Sequence, residues 1–204
     1  MRLINKLFLT NPYHNFNEKF ELDLQTWGNN EKELNDAIDA IKPSLIIEVG
    51  SWKGASAINM AKHIKEIGLD CEIVCVDTWL GSTEHEGAMP VKNGYPRLYY
   101  QFLYNVIACG VEGIITPFPN TSTVAYHWFK RENIHPDMVY LDGDHDEDIV
   151  GLDISSYYSL LNEGGILIGD DYTWDSVKSA LLTFSHYRGV DYELLKESLW
   201  VIRK

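Results

Sequence analysis

The order of elements predicts an α/β fold, a doubly wound, seven-stranded, mostly parallel sheet (Rossmann-like) with an antiparallel last strand. Short runs rich in Ile and Val recur along the 204 residues and are too apolar to be half exposed. Stretches with apolar residues at helical spacing separate them, which is the alternation of βαβ units. The tail "DYELLKESLWVIRK" reads instead as two short strands with a tight turn near Glu197 and Ser198, which makes the last strand antiparallel.

Each element has its own signal. "NNEKELNDAIDAIKP" opens the first helix with Asn30 as cap, Glu33 three residues later, Leu34, Ala37, Ile38 and Ile41 at helical spacing, and Pro43 as the stop. Residues 1–29 before it are irregular, an N-terminal extension that could serve as a lid or a dimer arm, so that residues 30–204 form the domain. "SLIIEVG" is the first strand, and "ASAINMAKHIKEIG" the next helix, with Ala57, Ala61, Ile64 and Ile67 on one face. "EIVCVD" follows as a strand, "YPRLYYQFLYNVIACG" as a helix with Pro96 in its first turn and Gly110 past its end, and "GIITPF" as the third strand. "STVAYHWFKREN" is helical, "DMVYLD" a fourth strand, "EDIVGLDISSYYSLL" a helix and "GGILIGDD" a fifth strand. "DSVKSALLTF" closes the helices with Asp175 as its cap. In such a sheet ligands gather where the carboxyl ends of the strands open, here the loops after Val49, Val76, Leu141 and Gly169.

Composition removes several classes of function. Seventeen Lys and Arg stand against 30 Asp and Glu, a formal charge of -13 that repels a phosphate backbone, so neither nucleic acid nor an anionic membrane is an expected partner. Three cysteines form no even-numbered framework and no CxxC pair, which fits a reducing cytoplasm. The start "MRLINKLFLT" has an interrupted apolar run without a small-residue cleavage site, and no stretch is long and apolar enough to span a bilayer.

"EVGSWKGAS" places Gly50 and Gly54 between a strand and a helix whose amine end favours a carboxylate. Trp52 stands where a dinucleotide fingerprint needs glycine, which weakens a dehydrogenase reading, and the two glycines could simply turn the chain. Asp77 ends the second strand, where a carboxylate can accept both hydroxyls of a ribose or cap a loop.

"LDGDHDED" crowds five carboxylates and a histidine after a buried strand. As a calcium loop it fails at Glu147, where glycine must turn the chain, and at Asp153, where a bidentate glutamate belongs. As the nucleophile motif of a dehalogenase-like phosphatase it has Asp142 and Asp144, with "GDDYTWD" as an acidic metal loop. Only one helix separates the two runs, too little chain for the other parts of that machinery. A third reading pairs Asp142 with Asp170 and Asp171 at the end of the next strand. Parallel neighbours lie about 5 Å apart, so these carboxylates can share a hard cation, Mg²⁺ first and Ca²⁺ or Mn²⁺ next, or simply cap the strand ends. Asp146, Glu147 and Asp148 need no chemistry, since acids complement the amine end of a helix. Asp144 has no assigned role.

Taken together, "IIEVGSWKGAS", "IVCVDTWLGS", "VYLDGDH" and "GGILIGDDY" resemble, in that order, the class I S-adenosylmethionine-dependent methyltransferases, in particular the small metal-assisted O-methyltransferases. The likeness runs from about Pro43 to the C-terminus. It implies that Glu48, Gly50, Ser51, Gly54 and Ser56 line the methionine part of S-adenosylmethionine (SAM), that Asp77 holds the ribose, that Thr78 and Trp79 flank the sugar or adenine, and that Ser122 lies near the adenine. Packing for Trp79 and a helix cap for Ser122 are the plainer alternatives. It also implies Asp142, Asp170 and Asp171 as metal ligands, Mg²⁺ foremost. His145 stands three residues after Asp142, where catechol-type relatives carry a catalytic lysine, and an imidazole there can take a proton near neutral pH.

The expected function is methyl transfer from SAM to a hydroxyl of a small molecule, with Asp142 and His145 at the reacting end; a homo-oligomer is compatible with the extension. A SAM-binding module without turnover, and a metal-dependent phosphatase or hydroxylase-like enzyme on the same carboxylates, are the rivals. Residues 80–95, with Glu84, His85 and Glu86, are long for a connection and could cover the acceptor or form a dimer contact. Trp79, Tyr172 and Trp174 could stack on a ring or merely pack.

Overall fold

The computed structural model describes residues 2–27, 30–82, 89 and 91–204. The central sheet contains β1 (Leu45–Val49), β2 (Glu72–Asp77), β5 (Ile115–Pro119), β6 (Met138–Leu141), β7 (Ile166–Gly169), β8 (Tyr192–Leu194) and β9 (Trp200–Arg203). Their order is β5-β2-β1-β6-β7-β9-β8. The first five are parallel, β9 runs antiparallel to β7, and β8 antiparallel to β9. The seven strands of this sheet are those the sequence marks, and the last, β9, is the one that runs against the other six.

Alternation along each strand explains the double winding. Ile46, Ile73, Cys75, Met138 and Ile168 face one apolar layer, covered by α2 (Glu31–Ile41), α3 (Ala55–Ile67) and α4 (Leu98–Ala108). Ile47, Val74, Val76, Val139 and Leu167 face the other, under α5 (Ser122–Arg131), α6 (Glu147–Leu160) and α7 (Asp175–Arg188). Both faces are buried, so the strands read as unbroken apolar runs.

Three expectations are corrected. Pro96 is not in a helical first turn: β3 (Val91–Lys92) and β4 (Tyr95–Pro96) form a small hairpin around Asn93 and Gly94, both at positive φ, and α4 starts at Leu98. That Asn-Gly pair is the standard signature of such a turn. Asp175 is the first residue of α7 and not its cap, a position held by Trp174. Asn30 occupies the cap position of α2 but makes no cap bond with its side chain, which is used elsewhere. Of the long connection at 80–95, residues 83–88 and 90 lie outside the described residues, and the expected covering loop with them.

The extension is laid along the domain. A short α1 (Ile4–Leu7) sits near β5, with the Leu3 amide donating to the Glu72 carboxylate at 3.1 Å. Tyr13 donates to the Ile115 carbonyl, Arg97 pairs with Glu18 at 2.5 Å and lies over Phe20, and Gln101 holds the Glu21 carbonyl. Asn105 then accepts from the Asp23 amide and donates to the Asp23 and Lys53 carbonyls, tying the strap to the loop after β1.

At the other edge Trp200 presses on β7. A Cβ on Gly169 would stand 2.0 Å from the Trp200 ring, and the indole N–H donates to the Asp170 carbonyl at 3.2 Å. Gly169→Ala is expected to cost roughly 2–4 kcal/mol through overpacking, and Trp200→Leu in the same chain to return part of it. Urea melts of both single variants and the double variant read the coupling; purely additive losses would place the strain elsewhere.

Candidate active site

The loop after β1 is shaped by what it passes. Gly50 has φ +85°, and a Cβ there would lie 2.0 Å from the Asp142 carbonyl oxygen, so any side chain would collide with the backbone after β6. Gly54 backs onto the Phe102 ring. Glu48 is fully buried and accepts from the hydroxyls of Ser51 and Ser56, each at 2.6 Å, and from the Cys75 thiol. Burial pushes its carboxyl upward. Glu48 thus fastens the loop from below, while Gly50, Ser51 and Ser56 line a cleft above it.

Asp77 ends β2 at the same cleft. One oxygen accepts from the amides of Ser51 and Trp52 at 2.9 and 2.8 Å, the other from the Trp79 amide at 2.6 Å. Thr78 lines the cleft beside it. Trp79 does not: it is 1% exposed, donates to the Trp52 carbonyl and packs on Tyr99 and Phe102. Ser122 lines the far wall, and the cap of α5 is Thr121, whose hydroxyl accepts from the Val124 amide.

The acids gather at the opposite end. The Tyr140 hydroxyl lies 3.1 Å from Asp142 Oδ2 and 3.2 Å from Asp170 Oδ2, one proton between two acceptors. Asn30 Nδ2 donates to that hydroxyl at 3.0 Å and to Asp170, while Asn30 Oδ1 is buried with no hydrogen-bond partner among the described residues. Burial, then the charges of Asp170 and Asp171, push the Asp142 carboxyl well above the usual carboxylate range. Asp171, at φ +60°, contacts His145 Nε2 at 2.9 Å, and the imidazole stacks on Trp174 with centroids 4.4 Å apart. Asp144 accepts from the Asp146 amide and shapes the turn; Asp146 caps α6, with Glu147 and Asp148 in the first turn as expected.

These oxygens suit a hard cation in kind: three carboxylates that repel one another and an orphaned amide oxygen beside them. In arrangement they are less complete. Among the described residues no group of three or more His, Cys, Asp and Glu side chains is set to hold a metal ion, and Asp171 contacts His145.

The cleft, about 770 Å³, connects the two ends. Its described lining includes Asp77, Asp142, Asp144, Asp153, Asp170 and Asp171 and no Lys or Arg. Gln25, Thr26 and Trp27 of the strap also reach it, with Trp27 packed on Trp52. Sequence reasoning missed these strap residues together with Asn30, Tyr140 and Asp153. Only Tyr140 carried a signal, because it shares a strand face with Asp142 two residues on. The buried Asp153 carboxyl is raised to about 6, chiefly by burial, against a hydrogen bond from Ser122.

Residues 47–172 match the profile of a methyltransferase-domain family, more than half of the chain, and the protein belongs to that family. No curated protein matches the sequence. Solved structures share the fold. An O-methyltransferase from Bacillus cereus in complex with SAH is 14% identical, with a TM-score of 0.63 over 90% of this chain and 84% of that one. TomG from Streptomyces achromogenes, an O-methyltransferase involved in tomaymycin synthesis, in complex with SAM, is 14% identical at 0.63 over 89% and 82%. CalS11, a TDP-rhamnose 3'-O-methyltransferase of calicheamicin biosynthesis, is 15% identical at 0.62 over 85% and 77%. No helix among the described residues is long and apolar enough to cross a membrane.

Asp153 generates a stability prediction. A carboxyl whose folded pKa is raised binds its proton more tightly folded than unfolded, so stability falls as pH rises from about 4, the unfolded value, to about 6. Asp153→Asn is therefore expected to be more stable than the parent at pH 7.5, by roughly 1–3 kcal/mol, and to match it near pH 4. Urea unfolding at both pH values measures this; an equal gain at both would mean that charge is not the cause.

Proposed function

We propose that the protein transfers a methyl group from SAM to a hydroxyl of a small-molecule acceptor. The observation that carries this reading is one cleft with two unlike ends: a glycine loop beside Asp77, and a carboxylate-backed histidine beside Asp142 and Asp170. Family membership and the O-methyltransferase neighbours support it.

Gly50, Ser51 and Ser56 would hold the methionine part of SAM, Asp77 the ribose, and Thr78 and Ser122 the base side. When bound, SAM supplies a methyl on a sulfonium, which an oxygen displaces in line. The chain's own task is to bring that oxygen up deprotonated. With its Nε2–H donating a hydrogen bond to Asp171, the neutral imidazole keeps its lone pair on Nδ1, which would take the hydroxyl proton as the O–C bond forms. Asp171 orients the ring and stabilises the imidazolium, and Trp174 fixes its plane.

The finer part of the proposal is a divalent cation, Mg²⁺ foremost, held by Asp142, Asp170 and Asp171. It is supported by the mutual repulsion of these carboxylates and their all-oxygen chemistry. When bound it would lower the pKa of the acceptor hydroxyl. The acidic lining also favours a neutral or cationic acceptor over a phosphorylated one. The cytoplasm is the proposed compartment, on the three free cysteines. For the N-terminal strap we propose a part in closing the cleft, since Gln25 to Trp27 stand at its edge.

Two experiments test the reading. Asp77→Ala should weaken SAM binding by on the order of 2–3 kcal/mol through lost charge-assisted hydrogen bonds; an unchanged affinity by calorimetry in a folded variant would remove Asp77 from the cofactor site. Chelation, or Asp171→Ala, should abolish methyl transfer to a screened hydroxyl acceptor while leaving SAM affinity within about threefold. Mg²⁺ or Mn²⁺ should restore activity after chelation and Zn²⁺ do so poorly. Full turnover in excess chelator, with no metal by elemental analysis, would leave His145 and Asp171 to act without a cation.

A further inference from the structure

Lys53 is the basic residue of the glycine loop, between Trp52 and Gly54, and its charge is not turned to the cleft. No Lys or Arg is among the described residues lining that cleft. The Lys53 side chain is only 12% exposed, and its ammonium meets the Asp23 carboxylate at 2.6 Å and the Gln25 side-chain oxygen at 3.3 Å. The bond from Lys53 is the chief cause that holds the Asp23 carboxyl below its ordinary value. An ammonium withdrawn from water this far is kept in place by the acceptors it meets. Both of its acceptors belong to the strap.

The same carboxylate shapes the strap. While one Asp23 oxygen meets Lys53, the other accepts from the Gln25 amide at 3.1 Å, a turn that brings Gln25 round to the glycine loop. There the Gln25 side-chain oxygen also accepts from the Trp52 indole at 3.1 Å, and Trp27 packs on the Trp52 ring with centroids 5.4 Å apart. Trp52 is tied on its other side too, its amide donating to Asp77 and its carbonyl accepting from the Trp79 indole, each at 2.8 Å. Trp52 therefore stands between the strap and the acid at the end of β2. The backbone of Asp23 and of Lys53 is held separately by the fully buried Asn105 of α4. Removing the ion pair thus leaves the path of the strap in place and weakens the hold on residues 25–27, which line the cleft.

We infer that Lys53 is a positioning residue of the cofactor site: through Asp23 it holds Gln25, Thr26 and Trp27 against the glycine loop, as a wall that slows the departure of the bound cofactor. The inference rests on the SAM reading above. It goes beyond that reading by giving the cation of the glycine loop a carboxylate of the strap as its partner, and not the carboxylate of the methionine part. A wall that must part before a ligand leaves acts on dissociation, which is where most differences in affinity between related complexes lie.

The test is independent of turnover and uses the full chain with S-adenosylhomocysteine, followed by calorimetry and by stopped-flow tryptophan fluorescence. Lys53→Met is expected to raise the dissociation rate about tenfold, as loss of a charge-assisted hydrogen bond does. Asp23→Asn, which keeps an oxygen for the Gln25 amide, should do the same, and the double variant should be no faster than either single one. Lys53→Arg, which keeps the charge, should stay within about threefold of the parent. Arg97→Met, which breaks the ion pair of the strap's Glu18, should leave the rate within about twofold. A Lys53→Met rate equal to the parent's overturns the inference. So does a rise that Asp23→Asn does not share or that adds to it in the double variant, since Lys53 would then act on the ligand itself. An equal rise in Arg97→Met overturns it as well, by showing a general loosening of the strap. In each of these cases the SAM reading stands, whereas a parent that does not bind S-adenosylhomocysteine removes that reading and this inference together.

Discussion

The site depends on one close approach of backbone to backbone. Gly50 passes the Asp142 carbonyl at a distance that admits no side-chain carbon, while the Asp142 amide donates to the Val49 carbonyl at 2.8 Å and the Gly50 amide to Val76 at 2.9 Å. The first residues of the loops after β1 and β6 are thereby tied to each other and to the ends of β1 and β2. These strands are neighbours at the point where the chain reverses its direction across the sheet, the place where an open α/β sheet has a crevice. The glycine loop and the acidic end are thus two sides of one rigid contact, and neither can shift without the other.

Electrostatic tension is the second organising fact. A cleft with six aspartates and no lysine or arginine among its described lining is costly to assemble in a chain that already carries -13. The fold spreads the cost through hydrogen bonds. Backbone amides hold Asp77, the Tyr140 hydroxyl stands between Asp142 and Asp170, the Asn30 amide donates to that hydroxyl and to Asp170, and His145 meets Asp171. Each donor comes from a different element, so the order of the acidic end is a property of the assembled domain.

This divides what a sequence can display from what it cannot. Buried parallel strands announce themselves because both faces are apolar, and the acids at their ends follow from the alternation of side chains. For Trp79 the sequence leaves stacking and packing open, and the structure decides for packing, since at φ +51° the chain turns the ring into the core. The β3-β4 hairpin could have been read from Asn93 and Gly94, but the apolar run beginning at Tyr95 suggested a longer helix. Asn30 and Tyr140 are 110 residues apart, and Ser122 and Asp153 meet only when α5 and α6 pack. No local pattern encodes such pairs, since each member has an ordinary role, cap or core, in its own segment.

The strap has a consequence for the order in which the protein is made. Asp23 emerges from the ribosome early, but its amide partner, the Asn105 side chain, lies 82 residues later, and Lys53, which meets the Asp23 carboxylate at 2.6 Å, belongs to the loop after β1. A chain synthesised from its N-terminus at about 5–20 residues per second holds residues 13–27 unmoored for several seconds. During that interval the loop after β1 exists without the strap that borders it. The strap is therefore made before the residues that moor it, and its docking waits for them.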